Sequence, residues 1–147
     1  MDTVAVLLVS PIDEDVRKLE SIFSHSNWKL FRVAHQDEAV RFLSQNPTPV
    51  VITDCGCGEP LSRTITKLAE LCSPPPRVIV ASRLADDPLW VQVLDCGGYN
   101  VLQKPFDPHE VYWVVSHAWR DWKAESALGS PSSRPAQAKM AAAAPTR

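Results

Sequence analysis

The stretch Pro49-Val50-Val51-Ile52-Thr53-Asp54 decides how the rest of the chain is interpreted. Its three consecutive β-branched residues predict a short strand that is buried on both faces, as strands of parallel sheets are. The strand ends at the carboxylate of Asp54, and the small residues of 55–58 follow at once. Open α/β sheets bind their ligands at the carboxyl ends of the strands. The stretch therefore predicts a parallel sheet with Asp54 at its ligand-binding edge.

Four further runs of strand length lie on either side of this stretch. The five predicted strands cover residues 4–9, 28–34, 50–54, 78–81 and 99–103, and a segment with apolar residues at helical spacing follows each. Alternating strands and helices with right-handed crossovers are typical of a parallel sheet with helices on both faces. We therefore expect a doubly wound, three-layer α/β/α protein.

The composition divides the chain into a folded body and a tail. Residues 1–125 contain all 17 acidic residues and 12 of the 15 Lys and Arg residues, so the body has a net charge of −5. An acidic body disfavours nucleic acid as a partner. Residues 126–147 are rich in Ala, Pro and Ser and offer little apolar surface, which predicts a disordered tail.

The cellular setting is also expected from composition. No apolar run approaches the roughly 18–20 residues that span a bilayer, and the first residues lack the basic start of a signal peptide. We therefore expect a cytoplasmic protein with no membrane partner. The four cysteines are expected to be reduced thiols, since Cys55-Gly56-Cys57 has no second pair at zinc-like spacing.

A set of strand-end motifs gives the chain its family likeness. Asp54 ends strand three, Ala81-Ser82 ends strand four, and Lys104-Pro105-Phe106 follows strand five. Over roughly residues 3–124, this pattern resembles the receiver domain of two-component response regulators. The resemblance implies a CheY-like, flavodoxin-like (βα)5 fold. It also implies a signalling role in a phosphorelay, and not an enzyme.

The resemblance implies roles for three residues. Asp54 is the phosphoacceptor, which attacks the phosphorus of a phosphohistidine with the help of Mg²⁺. Lys104 supplies a compact positive charge near the phosphoryl oxygens. Ser82 is the candidate hydroxyl that hydrogen-bonds to the attached group, although the usual position falls one residue earlier, on Ala81. The resemblance further implies a cis bond between Lys104 and Pro105, which would turn Lys104 into the pocket.

The chain departs from the receiver pattern after the first strand. Receivers usually have two adjacent acids there to hold Mg²⁺, and this chain has Ser10 and Pro11. The remaining candidate ligands are Asp54, the carbonyl of Gly56, and Asp13, which could alternatively cap the first helix. Loss of one preorganised electrostatic group typically costs about 2.7–4 kcal/mol, or ~10²–10³ in rate. The departure therefore predicts impaired phosphorylation.

The resemblance also implies partners. A sensor histidine kinase or a phosphotransfer protein would supply the phosphoryl group, and a downstream protein would bind the face of helix four, strand five and helix five. A homodimer is one possible assembly. Two alternatives remain open: a phosphorylation-independent pseudo-receiver that acts as an interaction domain, and a flavodoxin-like binder or enzyme. The second is disfavoured because residues 10–13 lack the Gly-rich or Ser/Thr-rich character of a phosphate-binding loop.

Overall fold

Five strands and five helices alternate in this computed structural model, which describes residues 4–55 and 60–128. Each of the five predicted strands is present, with its ends shifted by no more than one residue. The elements are β1 Ala5–Val9, α1 Asp13–Phe23, β2 Lys29–Val33, α2 Gln36–Gln45, β3 Val50–Asp54, α3 Leu61–Ala69, β4 Arg77–Ser82, α4 Asp87–Asp95, β5 Asn100–Gln103 and α5 Pro108–Leu128.

The strands form one parallel sheet in the order β2-β1-β3-β4-β5. Its central strand, β3, is buried along its whole length, as its apolar sequence predicted. The register aligns the carboxyl ends of β1 and β3, where Val9 lies opposite Thr53, and of β3 and β4, where Asp54 lies opposite Ala81. The predicted doubly wound (βα)5 fold is thus confirmed.

The core has two halves because successive side chains of a strand point to opposite faces of the sheet. On one face, Leu8 and Ile52 pack with apolar residues of α1 and α5. On the other face, Leu7 and Val51 pack with α2, α3 and α4. The sheet is therefore the middle layer of three, and its carboxyl edge is left for the loops and helix starts.

The N-cap residue predicted from the sequence is correct for α4 and wrong for α1. Asp86 caps α4 by accepting a hydrogen bond from the backbone N–H of Leu89 at 3.1 Å, as predicted. The predicted capping role of Asp13 is wrong: Ile12 holds the N-cap position, and Asp13 is the first residue of α1. Three acids in that first turn still favour the helix, since they lie at its positive end.

The last helix is longer than the sequence indicated. It extends through residues 126–128, which belong to the tail predicted from composition, and the remainder of that tail lies outside the described residues. Arg77 at the start of β4 holds this end of α5, with its guanidinium 2.9 Å from Asp121 Oδ2 and 2.6 Å from Glu125 Oε1. Within the described ranges, no helix is both long and apolar enough to cross a membrane.

Candidate functional site

Three charged side chains meet at the carboxyl edge of the sheet. Lys104 extends its ammonium between two carboxylates, with Nζ 2.6 Å from Asp15 Oδ2 and in hydrogen-bond contact with Asp54 Oδ1. All three side chains are buried, which is unusual for charged residues unless they are paired. We call these three residues the carboxylate–lysine cluster.

The positions of Asp54 and Lys104 follow from the strands that carry them. Asp54 continues the alternation of Val50 and Ile52, so its side chain belongs to the face of the sheet that α1 and α5 cover. Lys104 comes directly after β5, and its backbone N–H donates to the carbonyl of Ser82 at 2.9 Å. The peptide bond from Lys104 to Pro105 is cis, as the resemblance implied. Two of the three residues, Asp54 and Lys104, were therefore predicted from the sequence.

Asp15 is the member that sequence reasoning missed. It lies on the inward stripe of α1 with Leu19 and Ile22, at positions i, i+4 and i+7. Ser10, which is fully buried at the end of β1, donates its hydroxyl hydrogen to Asp15 Oδ2 at 3.0 Å. The helical spacing was a usable signal, because an acid on the buried stripe of a helix needs a polar partner.

The cluster has one negative charge more than it has positive charge, since two carboxylates share a single ammonium. Burial alone would lower the pKa of Lys104. The hydrogen bonds from its ammonium to Asp15 and Asp54, together with their negative charges, outweigh this and raise the pKa. Lys104 therefore remains protonated at neutral pH.

The other predicted metal ligands lie elsewhere. The carboxylate of Asp13 points to the exposed side of α1, where its Oδ1 is 3.2 Å from the guanidinium of Arg32. The Asp13 side chain is 75% exposed and is not brought into the cluster. Gly56 lies outside the described residues. Of the three predicted ligands, the structure places only Asp54 in the cluster.

Ser82 ends β4 on the opposite face of the sheet from Asp54. Its Oγ accepts a hydrogen bond from the backbone N–H of Leu84 at 3.1 Å. Ala81, one residue earlier, lies across from Asp54 and is buried with the α1 and α5 core. The hydroxyl of Ser82 is therefore not directed to the cluster, and its role stays a prediction.

The donor atoms of the cluster fit Mg²⁺, the ion that the resemblance to receivers implies. Mg²⁺ binds one or two carboxylates and fills its octahedron with water and substrate oxygens. Asp15 and Asp54 are two carboxylates that contact the same ammonium, so both reach one small volume. Among the residues described, no group of three or more His, Cys, Asp and Glu side chains forms a complete cage. Two carboxylates are enough for this ion.

Solved structures of other proteins have the same fold as this chain. No family model and no curated protein sequence matches the chain. A solved signal receiver domain of an HD domain-containing protein from Pseudomonas fluorescens Pf-5 is 18% identical, with a TM-score of 0.72 over 86% of this chain and 94% of that chain. The chemotaxis response regulator CheY4 of Vibrio cholerae is 13% identical, with a TM-score of 0.70 over 80% and 99%.

A two-component response regulator from Clostridium difficile is similar to the same extent. It is 14% identical, with a TM-score of 0.71 over 80% of this chain and 97% of that chain. Identities this low show the fold alone. The chain therefore has the receiver-domain fold, and its activity must be argued from its own residues.

Proposed function

We propose that this chain, built on the receiver-domain fold, accepts a phosphoryl group on Asp54 and signals through contact with other proteins. The observation that carries the proposal is the contact between the Lys104 ammonium and the strand-end carboxylate of Asp54. In this proposal the chain is not an enzyme, because Asp54 is itself the group that is modified.

The chemistry needs a nucleophile, a positive charge and a donor. An oxygen of Asp54 forms a bond to phosphorus, the bond from phosphorus to the histidine nitrogen of the donor breaks, and the imidazole keeps the electron pair. The Lys104 ammonium stabilises the charge that spreads over the equatorial phosphoryl oxygens. Its raised pKa supports this role, since the group must be protonated to act.

Mg²⁺ is part of the proposal. Asp54 would hold it together with the other carboxylate of the cluster, and the ion would supply further positive charge to the phosphoryl oxygens. The carbonyl of Gly56 remains a candidate neutral ligand, as the resemblance implies.

The proposed partners are of two kinds. The phosphoryl donor would be a sensor histidine kinase or a phosphotransfer protein. The downstream partner would bind the face of α4, β5 and α5. Two of these elements have exposed apolar side chains: Trp90, Val91 and Leu94 on α4 and Trp113 on α5. Aromatic residues of this kind are enriched at binding hot spots.

A second copy of the chain is a further candidate partner. One of the similar solved structures, 22% identical with a TM-score of 0.72, is a beryllofluoride-activated NtrC4 receiver domain dimer. That likeness supports a test for dimerisation of this chain after phosphorylation.

The central test is chemical modification in vitro. The protein is incubated with acetyl phosphate and millimolar Mg²⁺, and the mass of the intact chain is measured. We expect the addition of one phosphoryl group, which is absent in Asp54→Asn and retained in Asp95→Asn, a matched change at an exposed aspartate of α4. Beryllofluoride binding, followed by NMR, provides a second measurement.

One outcome would favour the alternative function. A wild-type protein that acetyl phosphate does not modify and beryllofluoride does not bind would be a phosphorylation-independent pseudo-receiver, which acts only through its protein-binding surface.

A further inference from the structure

The end of β1 has a carboxylate beside it although the strand itself supplies none. Ser10 and Pro11 occupy the two positions where receivers usually have acids. The Ser10 hydroxyl donates to Asp15 Oδ2 at 3.0 Å and accepts a hydrogen bond from the backbone N–H of Ile12 at 3.1 Å. The small, buried serine therefore orients an acid that comes from the first turn of α1.

The two oxygens of Asp15 have different surroundings. Oδ2 accepts hydrogen bonds from both Ser10 and Lys104. Oδ1 accepts none from the part of the chain that the structure describes, and it is not sealed from solvent. Two hydrogen bonds thus fix the carboxylate and leave its other oxygen available to a ligand.

The charge of the cluster indicates which ligand fits. Two carboxylates contact a single ammonium, so the cluster has more oxygen acceptors than Lys104 alone can occupy. An oxygen ligand with negative charge, in a site that can retain water, is what a hard divalent cation such as Mg²⁺ prefers.

We infer that Asp15 is the second carboxylate ligand of a divalent-cation site whose first carboxylate is Asp54, and that Ser10 positions it. This inference rests on the proposed function, which sets the cation at this edge of the sheet. Asp15 takes the ligand position for which Asp13 was the predicted candidate. Asp15 thus supplies an acid near the end of β1, where positions 10 and 11 have none.

A purely structural role for Asp15 makes a different prediction. If Asp15 only neutralises Lys104, Asp15→Asn changes the stability of the protein and leaves its affinity for cations unaltered. If Asp15 is a ligand, the same substitution weakens cation binding. Ser10→Ala then weakens it by a smaller factor, because the carboxylate loses one of its two hydrogen bonds.

The experiment uses the full chain labelled with ¹⁵N and titrated with Mn²⁺, a paramagnetic substitute for Mg²⁺. In the wild type we expect line broadening centred on the carboxyl ends of β1 and β3 and on the first turn of α1. Calorimetric titration with Mg²⁺ gives the affinities. We expect Asp15→Asn to lower the affinity by more than Ser10→Ala does, since loss of an outer-shell partner such as Ser10 typically costs about tenfold to a hundredfold. Asp13→Asn is the matched control and should leave the affinity unchanged, because the Asp13 carboxylate is exposed and lies outside the cluster.

A double variant keeps the inference testable if Asp15→Asn alone does not fold. In Ser10→Asp/Asp15→Asn an acid returns to the end of β1, and cation affinity should recover. Equal Mg²⁺ affinities in the wild type and Asp15→Asn would overturn the inference. Broadening centred elsewhere, or a wild type that binds neither cation at tens of millimolar, would also overturn it.

The test of Asp15 as a cation ligand and the test of Asp54 as a phosphoacceptor can fail independently. Phosphorylation of Asp54 with an unchanged Mg²⁺ affinity in Asp15→Asn overturns only the role of Asp15. Cation binding through Asp15, in a protein that acetyl phosphate does not modify, overturns the proposed function and leaves the cation site in place.

Discussion

Lys104 donates a hydrogen bond to Asp15 across 89 residues of sequence, from an ammonium nitrogen that lies 2.6 Å from the carboxylate oxygen Oδ2. The same ammonium contacts Asp54. One lysine is therefore the shared counter-ion of two buried acids, and the removal of its charge affects both.

Lys104→Met tests this sharing through stability. The variant keeps the length of the side chain and leaves two buried carboxylates without their counter-ion, so we expect the free energy of unfolding to fall by about 3 kcal/mol at neutral pH. Urea unfolding at pH 7 measures the change. The same substitution at Lys18, which is exposed on α1, should cost much less.

The loss of stability in Lys104→Met should depend on pH in the alkaline range. Burial lowers the pKa of Lys104, but its hydrogen bonds to Asp15 and Asp54 and their charges raise it above the ordinary value. Because the pKa is higher in the folded protein, the contribution of Lys104 is fully present below about pH 10 and is lost as the pH rises through the folded-state pKa. The stability difference between wild type and Lys104→Met should therefore shrink as the pH rises through the alkaline range. A difference that grows there would contradict this assignment.

Gln36→Met should stabilise the protein. Gln36 is buried in the first turn of α2, and neither Nε2 nor Oε1 of its side chain has a hydrogen-bond partner. Methionine has a similar shape and removes the cost of burying the amide, so we expect a gain of about 1–3 kcal/mol in the free energy of unfolding.

Chemical denaturation measures this gain, and Gln45→Met serves as the control. Gln45 is the exposed last residue of the same helix, and its substitution should have little effect. A destabilised Gln36→Met protein would show that an ordered water or another group satisfies the amide.

Arg77→Gln should loosen the end of α5. The guanidinium joins the start of β4 to Asp121 and Glu125, and it also donates to the carbonyl of Pro75 at 2.8 Å. Since Arg77 and Glu125 are largely buried, we expect a loss of about 2–3 kcal/mol. Amide hydrogen exchange should accelerate in residues 121–128, while Arg120→Gln, at an exposed position of the same helix, leaves exchange unchanged. Unaltered hydrogen exchange in Arg77→Gln would show that Arg77 does not hold the end of α5.

Ser82→Ala tests whether the hydroxyl of Ser82 acts on the phosphoryl group. Its Oγ faces the amide of Leu84, so we expect the rate of modification of Asp54 by acetyl phosphate to change by less than about threefold, well below the ~10²-fold typical of a lost transition-state donor. Intact mass measured over time gives the rate, with Ala81→Ser as the companion variant. A hundredfold loss in Ser82→Ala would show that the hydroxyl turns to Asp54 during transfer.

The residues that the sequence located correctly are those whose position depends on local pattern. The strand that ends at Asp54 follows from three consecutive β-branched residues, and Lys104 follows from the motif after the fifth strand. Both lie at strand ends, and parallel strands of one sheet must end at the same edge. The fold therefore puts these two residues at the same edge of the sheet, with β4 between their strands.

The direction in which a side chain points depends on small rotations that the sequence does not show. Two residues of helix separate Asp13 from Asp15, a turn of about 200°, so one faces solvent and the other faces the core. One residue of strand separates Ala81 from Ser82, which is enough to exchange the faces of the sheet. The choice between such neighbours is made by tertiary packing, which a local pattern does not contain.

The carboxylate–lysine cluster also bears on the order in which the protein folds. The contacts of Lys104 with Asp54 and Asp15 close loops of 50 and 89 residues. Closing such long loops costs entropy, and the contacts become favourable only after the intervening chain is ordered. The site should therefore be among the last features to assemble during folding, and a chain truncated before β5 would contain Asp54 without the surroundings that define its chemistry.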